Sequence, residues 1–176
     1  MLEGEKRRRF TPGRLLDIAA VAVLAFVLWK IFLAPRTFSA PGTAPAPHVV
    51  YERLDGGTFR MTGERGHVVF LDFFASWCEP CRVETPIVEK WAREHPNVTV
   101  VPVDVGEPRI VAQRYAQQMH LMHVAIDPSG SSQGYFNVQG FPTVVVVDGH
   151  GDIRAAWAGL NPAIALAMTN AEKTLR

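Results

Sequence analysis

The sequence predicts an α/β domain, a mixed central sheet flanked by helices, and three observations lead there. Two apolar runs, 67–75 (HVVFLDFFA) and 142–148 (PTVVVVD), are too short for helices, so each reads as a strand covered on both faces. Strand-like and helix-like segments alternate between them, which calls for parallel strands joined by helical crossovers. After the second run a Gly149-His150-Gly151 turn leads into one more strand, and that hairpin must be antiparallel.

In chain order, residues 15–34 (LLDIAAVAVLAFVLWKIFLA) are apolar all round, interrupted only by Asp17 and Lys30. As a helix they would reach ~30 Å, the hydrocarbon thickness of a bilayer, so a single N-terminal transmembrane helix is expected. Asp17 would lie at one interface and Lys30 would snorkel beside Trp29 at the other. Five basic residues (Lys6, Arg7, Arg8, Arg9, Arg14) precede the span and only Arg36 stands close behind it. The positive-inside rule leaves head 1–14 in the cytoplasm and carries the rest across. Two competing readings are a signal peptide cleaved after Ser39 and a twin-arginine signal at Arg7-Arg8-Arg9-Phe10. Pro35, Pro41 and Pro47 crowd the cleavage candidates, and the arginines already account for topology. Residues 35–48 hold four prolines and little to bury, which reads as an extended tether.

The domain proper is expected over 49–176. Residues 49–60 form an N-terminal β-hairpin around Asp55-Gly56-Gly57. Strand 67–75, helix 78–94 (ended by His95-Pro96-Asn97) and strand 98–103 make a βαβ unit with parallel strands. Helix 107–118, strand 123–127 and strands 142–148 and 153–158 follow. Asn161 then N-caps a last helix, with Pro162 at its first position. Pro86 falls inside the second helix and should kink it.

Composition fits this plan. Apolar residues make up 48% of the chain, enough for a real core, and two cysteines allow at most one disulfide. Residues 49–176 carry 11 basic and 14 acidic side chains, so the body offers no electrostatic footprint for nucleic acid.

Both cysteines fall in Trp77-Cys78-Glu79-Pro80-Cys81, between a buried strand and the start of a helix. A staple closing so small a ring constrains little of the unfolded chain. Zinc needs two more ligands, and His120 with His123 is a poor match in spacing. Haem attachment needs histidine after the second cysteine, where Arg82 stands. A redox couple remains. At the helix N-terminus, free N–H groups and the macrodipole favour a thiolate at Cys78, the expected exposed nucleophile. Cys81, one turn on, is the resolving thiol. Asp72 sits amid Val68, Val69, Phe70, Leu71, Phe73 and Phe74, so its carboxyl should be buried with a raised pKa, able to relay the Cys81 proton. Glu79 sets a negative charge beside the nucleophile, which should oppose the thiolate and push the couple toward a reductant.

From about residue 49 onward the chain resembles membrane-anchored thioredoxin-like proteins of the TlpA/ResA type. The residues that carry the resemblance are 73–81 (FFASWCEPC), Glu84, Pro86 and Gly140-Phe141-Pro142-Thr143. The resemblance implies a thioredoxin-like fold and disulfide reduction outside the cytoplasmic membrane of a bacterium. It implies a redox-active Cys78–Cys81 disulfide with no other cofactor and no metal. Clients would be protein disulfides, in apocytochrome c haem-binding motifs or copper-site proteins, and a membrane protein would donate electrons. Pro142 matches the family's cis-proline, and Trp77, Glu79, Pro80 and Phe141 with it would meet the client. Asp72 matches the buried aspartate of ordinary thioredoxins and Glu84 an acid typical of the ResA type. Carrying both departs from that type and leaves open which handles the proton. Two alternatives stay open: an oxidase or isomerase arm, and a copper chaperone joining Cys78 and Cys81 to Met119-His120-Leu121-Met122-His123.

Overall fold

Two units compose the chain, 1–34 and 35–176. The computed structural model describes residues 12–32, 36–38 and 44–175. The head up to residue 11, positions 33–34 of the expected anchor and positions 35 and 39–43 of the expected tether lie outside the described residues.

In the first unit, α1 (Pro12–Phe32) is a helix of 21 residues. Its described side chains, 16–28, are all exposed, including Leu16, Ile18, Val21, Val23, Leu24 and Phe26. Among the described residues no helix is long and apolar enough to cross a membrane. The transmembrane span expected over 15–34 is therefore not found among the described residues.

The second unit opens inside the stretch expected as a free tether. β1 (Arg36–Phe38) and β2 (Ala44–Pro45) both pair antiparallel with β9 (Asp152–Ala158). An edge position suits a proline-rich segment, because proline cannot donate to a ladder on both sides. The Ala46 amide adds a bond to the Gly151 carbonyl at 2.8 Å, and Ala46 and Val49 are buried. The hairpin of β3 (Val50–Arg53) and β4 (Thr58–Arg60) follows as expected, turning through Gly56 and Gly57 at φ 94° and 82°.

A 3-10 turn (Met61–Glu64) leads to β5 (Val69–Phe74), α2 (Glu79–Glu94), β6 (Thr99–Val105), α3 (Arg109–Met119) and β7 (Ala125–Asp127). Then come α4 (Ser131–Tyr135), β8 (Thr143–Val147), β9 and α5 (Ile164–Leu175). The strand order is β1-β9-β8-β5-β6-β7-β3-β4. β5 runs parallel to β6, as the crossover requires, and antiparallel to β8. The short α4 was not expected: Ser131-Ser132-Gln133-Gly134-Tyr135 has no apolar period. It is fixed instead by Asp127, which accepts from the Ser132 amide at 2.7 Å and hydroxyl at 2.6 Å.

Alternation along β5 divides the core. Val69, Leu71 and Phe73 pack with Val101, Val103 and Val145, while Phe70 meets Val88 and Trp91 of α2 and Ile164 and Met168 of α5. Phe70 and Trp91 lie edge to face at 5.1 Å, and Trp91 Nε1 donates to Thr169 Oγ1 at 2.9 Å, joining α2 to α5. Phe70→Ala would cost about 3–5 kcal/mol by leaving a cavity there. The same alternation puts Asp72 on the face that α2 covers, which is how a strand residue reaches the functional helix.

Candidate redox site

Cys78 ends the turn between β5 and α2. Its amide donates to the Ala75 carbonyl at 3.1 Å, and its extended backbone (φ −79°, ψ 103°) makes it the N-cap of α2. Its Sγ accepts from the Cys81 amide at 3.2 Å, one of the free N–H groups of a helix start. Pro80 lies in the first turn, where a missing N–H costs nothing. Cys78 and Cys81 form a disulfide with Cα atoms 5.3 Å apart. Cys81 is 0% exposed and Cys78 only 3%. The expectation of an exposed Cys78 is therefore corrected: in the disulfide its sulfur faces Cys81, in a cluster with Phe74, Ala75, Tyr115 and Val124 on which Phe141 packs.

Around this buried pair the surface carries an aromatic patch beside one charged pair. Trp77 is 69% exposed and meets the half-buried Phe141 edge to face at 5.8 Å. The Phe141–Pro142 bond is cis. Pro80 and Glu79 are exposed, and Glu79 Oε2 lies 3.5 Å from Arg82 Nε, so its charge is shared with a cation and screened by solvent.

Beneath the disulfide sit acids. Asp72 is fully buried with neither carboxylate oxygen hydrogen-bonded. Burial first, and the charge of Glu84 second, push it up to about 8, against a smaller opposing effect of Thr85. Glu84, one turn after Cys81, is also fully buried, and burial lifts it to about 7. Its Oε2 accepts the Asn161 amide at 2.5 Å, tying α2 to the turn that leads into α5, where Asn161 Oδ1 accepts the Ala163 amide at 3.0 Å. The two acids singled out in the sequence thus face each other across β5 and α2, close enough for one charge to raise the other.

Two acids at the site, Glu107 and Asp104, escaped the sequence reading, as did the roles of Ser76 and Arg82. Glu107 accepts from the Ser76 amide (2.5 Å) and hydroxyl (2.7 Å), and Arg82 Nη2 donates to the Ser76 carbonyl at 3.4 Å. Asp104, on β6 opposite Phe74 of β5, is fully buried. Its signal was available: an acid inside an apolar run (TVVPVDV), the pattern that exposed Asp72.

The methionine/histidine stretch divides between two places. His123 Nδ1 lies 2.7 Å from Asp55 Oδ2 and also meets Arg53 Nη2, facing the N-terminal hairpin, and Met119 and Leu121 pack into the cluster around the disulfide. Among the described residues no group of three or more His, Cys, Asp or Glu could hold a metal ion.

Comparison with known proteins agrees with this geometry. A thioredoxin-like family profile matches residues 66–153, from β5 into β9. The thiol-disulfide oxidoreductase ResA of Geobacillus thermodenitrificans (strain NG80-2) is 27% identical over 158 residues, covering 88% of this chain and 90% of that protein. Among solved structures, MTB dsbF, in its mixed oxidised and reduced forms, superposes with a TM-score of 0.66 at 26% identity. That match covers 74% of this chain and 99% of the other. The pneumococcal exposed lipoprotein thioredoxin Etrx1 of Streptococcus pneumoniae strain TIGR4 gives 0.60 at 25% identity, covering 72% and 99%.

Proposed function

The chain belongs to the thioredoxin-like family and is a thiol–disulfide oxidoreductase, and from that premise we propose that it works as a reductase of protein disulfides on the outer side of a bacterial cytoplasmic membrane. The observation that carries the reading is the Cys78–Cys81 disulfide at the N-terminus of α2, backed by Asp72 and Glu84 with raised pKa values.

In the reductase direction the Cys78 thiolate attacks one sulfur of a client disulfide. The client S–S bond breaks, a Cys78–client disulfide forms, and one client thiolate leaves. Cys81 then loses its proton and attacks Cys78 Sγ. The Cys78–Cys81 bond forms, the second client thiol leaves, and two electrons have passed to the client. Glu84, near 7, is partly ionised at neutral pH and takes the Cys81 proton. Asp72, near 8, stays protonated and returns a proton to Cys81 when a donor reopens the disulfide. Trp77, Glu79, Pro80, Phe141 and Pro142 form the rim that receives the client backbone.

The two cysteines of the chain make a single dithiol, which supports re-reduction by a separate membrane donor. The clients in this reading are those of the TlpA/ResA type, apocytochrome c or copper-site proteins. Anchoring by residues 15–34 is supported by the apolar exposed surface of 16–28 and by the basic head before it. An extracytoplasmic location also suits a working disulfide, and the neighbour Etrx1 is named an exposed lipoprotein.

The test is a trap. Cys81→Ser, expressed in cells, should hold client proteins on Cys78 as mixed disulfides that dithiothreitol releases. An empty trap at normal expression contradicts the client chemistry. An equilibrium potential as oxidising as about −120 mV, the range of a dedicated oxidant, overturns the direction.

A further inference from the structure

The turn that presents Cys78 is held from one side by a single carboxylate. Ser76 is the second residue of the Ala75–Cys78 turn, and all its polar groups are engaged. Its amide and hydroxyl donate to the two oxygens of Glu107, and its carbonyl accepts from Arg82, whose guanidinium lies 5.6 Å from the centre of the Tyr115 ring. Glu107 itself is buried. Behind it Asp104 is 0% exposed with neither oxygen hydrogen-bonded, three residues before Glu107 across the Val105-Gly106 link from β6 to α3. Burial and the neighbouring Glu107 both favour the neutral form of Asp104.

We infer that Asp104 and Glu107 form a positioning pair for the redox turn, in which a neutral Asp104 lets the charged Glu107 stay inside and clamp Ser76. The inference rests on the thiol–disulfide chemistry proposed for this site but not on its direction. Asp104 is pushed up to about 8, by burial first and by Glu107 second. The other charged or titratable groups nearby are Tyr115 of α3, Arg82 and Glu79 of α2, and Asp72 of β5; burial first raises Tyr115, Arg82 opposes that, and Asp72, Asp104 and Glu79 add to it. Ionising Asp104 sets a second negative charge beside Glu107 in a low-dielectric pocket, driving Glu107 outward and loosening the turn. The turn is thus firmest below about pH 8 and relaxes above it.

The discriminating readout is the Ser76 amide resonance in the oxidised, full-length protein, where no thiol titrates. It should shift with pH with a midpoint near 8, lose that titration in Asp104→Asn, and keep it in Asp72→Asn. A Ser76 resonance that stays flat between pH 6 and 9, or that titrates unchanged in Asp104→Asn, overturns the pair. Kinetics give the second arm. Glu107→Ala should slow the reaction of reduced Cys78 with glutathione disulfide by about tenfold, since small misplacements of a reacting group cost at least that much. Glu107→Gln, which can still accept the amide and donate to the hydroxyl, should recover most of the rate. A folded Glu107→Ala protein reacting at the wild-type rate refutes the clamp while leaving the oxidoreductase reading intact, and loss of reaction in all variants and the parent does the reverse. Should Glu107→Ala not fold, the amide titration in Asp104→Asn decides alone.

Discussion

Replacing Asp72 with asparagine should stabilise the oxidised protein at neutral pH and destabilise it in acid. An aspartate in the unfolded chain ionises near 3.8, whereas the folded protein holds Asp72 protonated up to about 8. Between those values the unfolded chain gains by releasing a proton that the native state retains, so native stability falls by about 1.4 kcal/mol for each pH unit. By pH 7 this one group has cost on the order of 4 kcal/mol. Asparagine removes the cost but brings an amide into a site where neither oxygen of Asp72 finds a partner, a penalty of about 1–3 kcal/mol at every pH. The variant should therefore gain roughly 1–3 kcal/mol at pH 7 and lose a similar amount at pH 4. A swing of about 4 kcal/mol corresponds to roughly 10 °C in Tm for a chain of this size. Thermal unfolding of both oxidised proteins in detergent, from pH 4 to 8 at constant ionic strength, reads it directly. A difference in Tm that does not change with pH would refute the claim that this carboxyl is neutral in the native state.

Three further perturbations test the assigned roles. Glu84→Gln keeps an acceptor for the Asn161 amide but removes a base, so resolution of a Cys78 mixed disulfide should slow by about 10- to 100-fold and its pH limb near 7 should vanish; a surviving limb assigns the proton elsewhere. Glu79→Gln should make the couple less reducing, and only slightly, because Glu79 is exposed and lies beside Arg82; an unchanged or lower potential, measured against glutathione, removes Glu79 from the account. Trp77→Ala deletes the exposed half of the Trp77–Phe141 contact, so KM for a protein disulfide should rise about fivefold or more while the rate with glutathione disulfide stays within about twofold; equal losses on both would place Trp77 in turn geometry rather than client contact.

How far the sequence carries is visible residue by residue. Val69–Phe74 and Thr143–Val147 are legible because a strand buried on both faces needs an unbroken apolar run, and the parallel partner of the first follows from the crossover length. Cys78 and Cys81 are legible because their chemistry depends on local spacing. What depends on contacts distant in sequence is not. The clamp on Ser76 comes from Glu107, 31 residues away, and the partner of Glu84 is the amide of Asn161, 77 away. No periodicity marks either. β1 and β2 were hidden for another reason: prolines suggest a solvated tether, yet an edge strand tolerates them when β9 supplies the partner. Cys78 is buried in part by Tyr115 and Val124, which come from far along the chain.

The direction proposed for electron flow also has a physical basis in the acids. A cysteine at a helix N-terminus, left to the dipole and the free amides, is stabilised as thiolate, which stabilises the reduced form and makes an oxidant. Here that pull is opposed from three sides. Glu79 lies exposed beside the nucleophile, Glu84 lies below Cys81, and the Asp104–Glu107 pair lies behind the turn. Every negative charge that survives there raises the cost of a thiolate, and every proton held by Asp72 or Asp104 lowers it. Losing Glu84 and Glu79 together should therefore move the potential in the oxidising direction by more than Glu79→Gln alone. If the double variant Glu79→Gln/Glu84→Gln were as reducing as the parent, the acids would have no part in setting direction, and the distinction from an oxidant would have to be sought in the rim around Trp77 and Phe141.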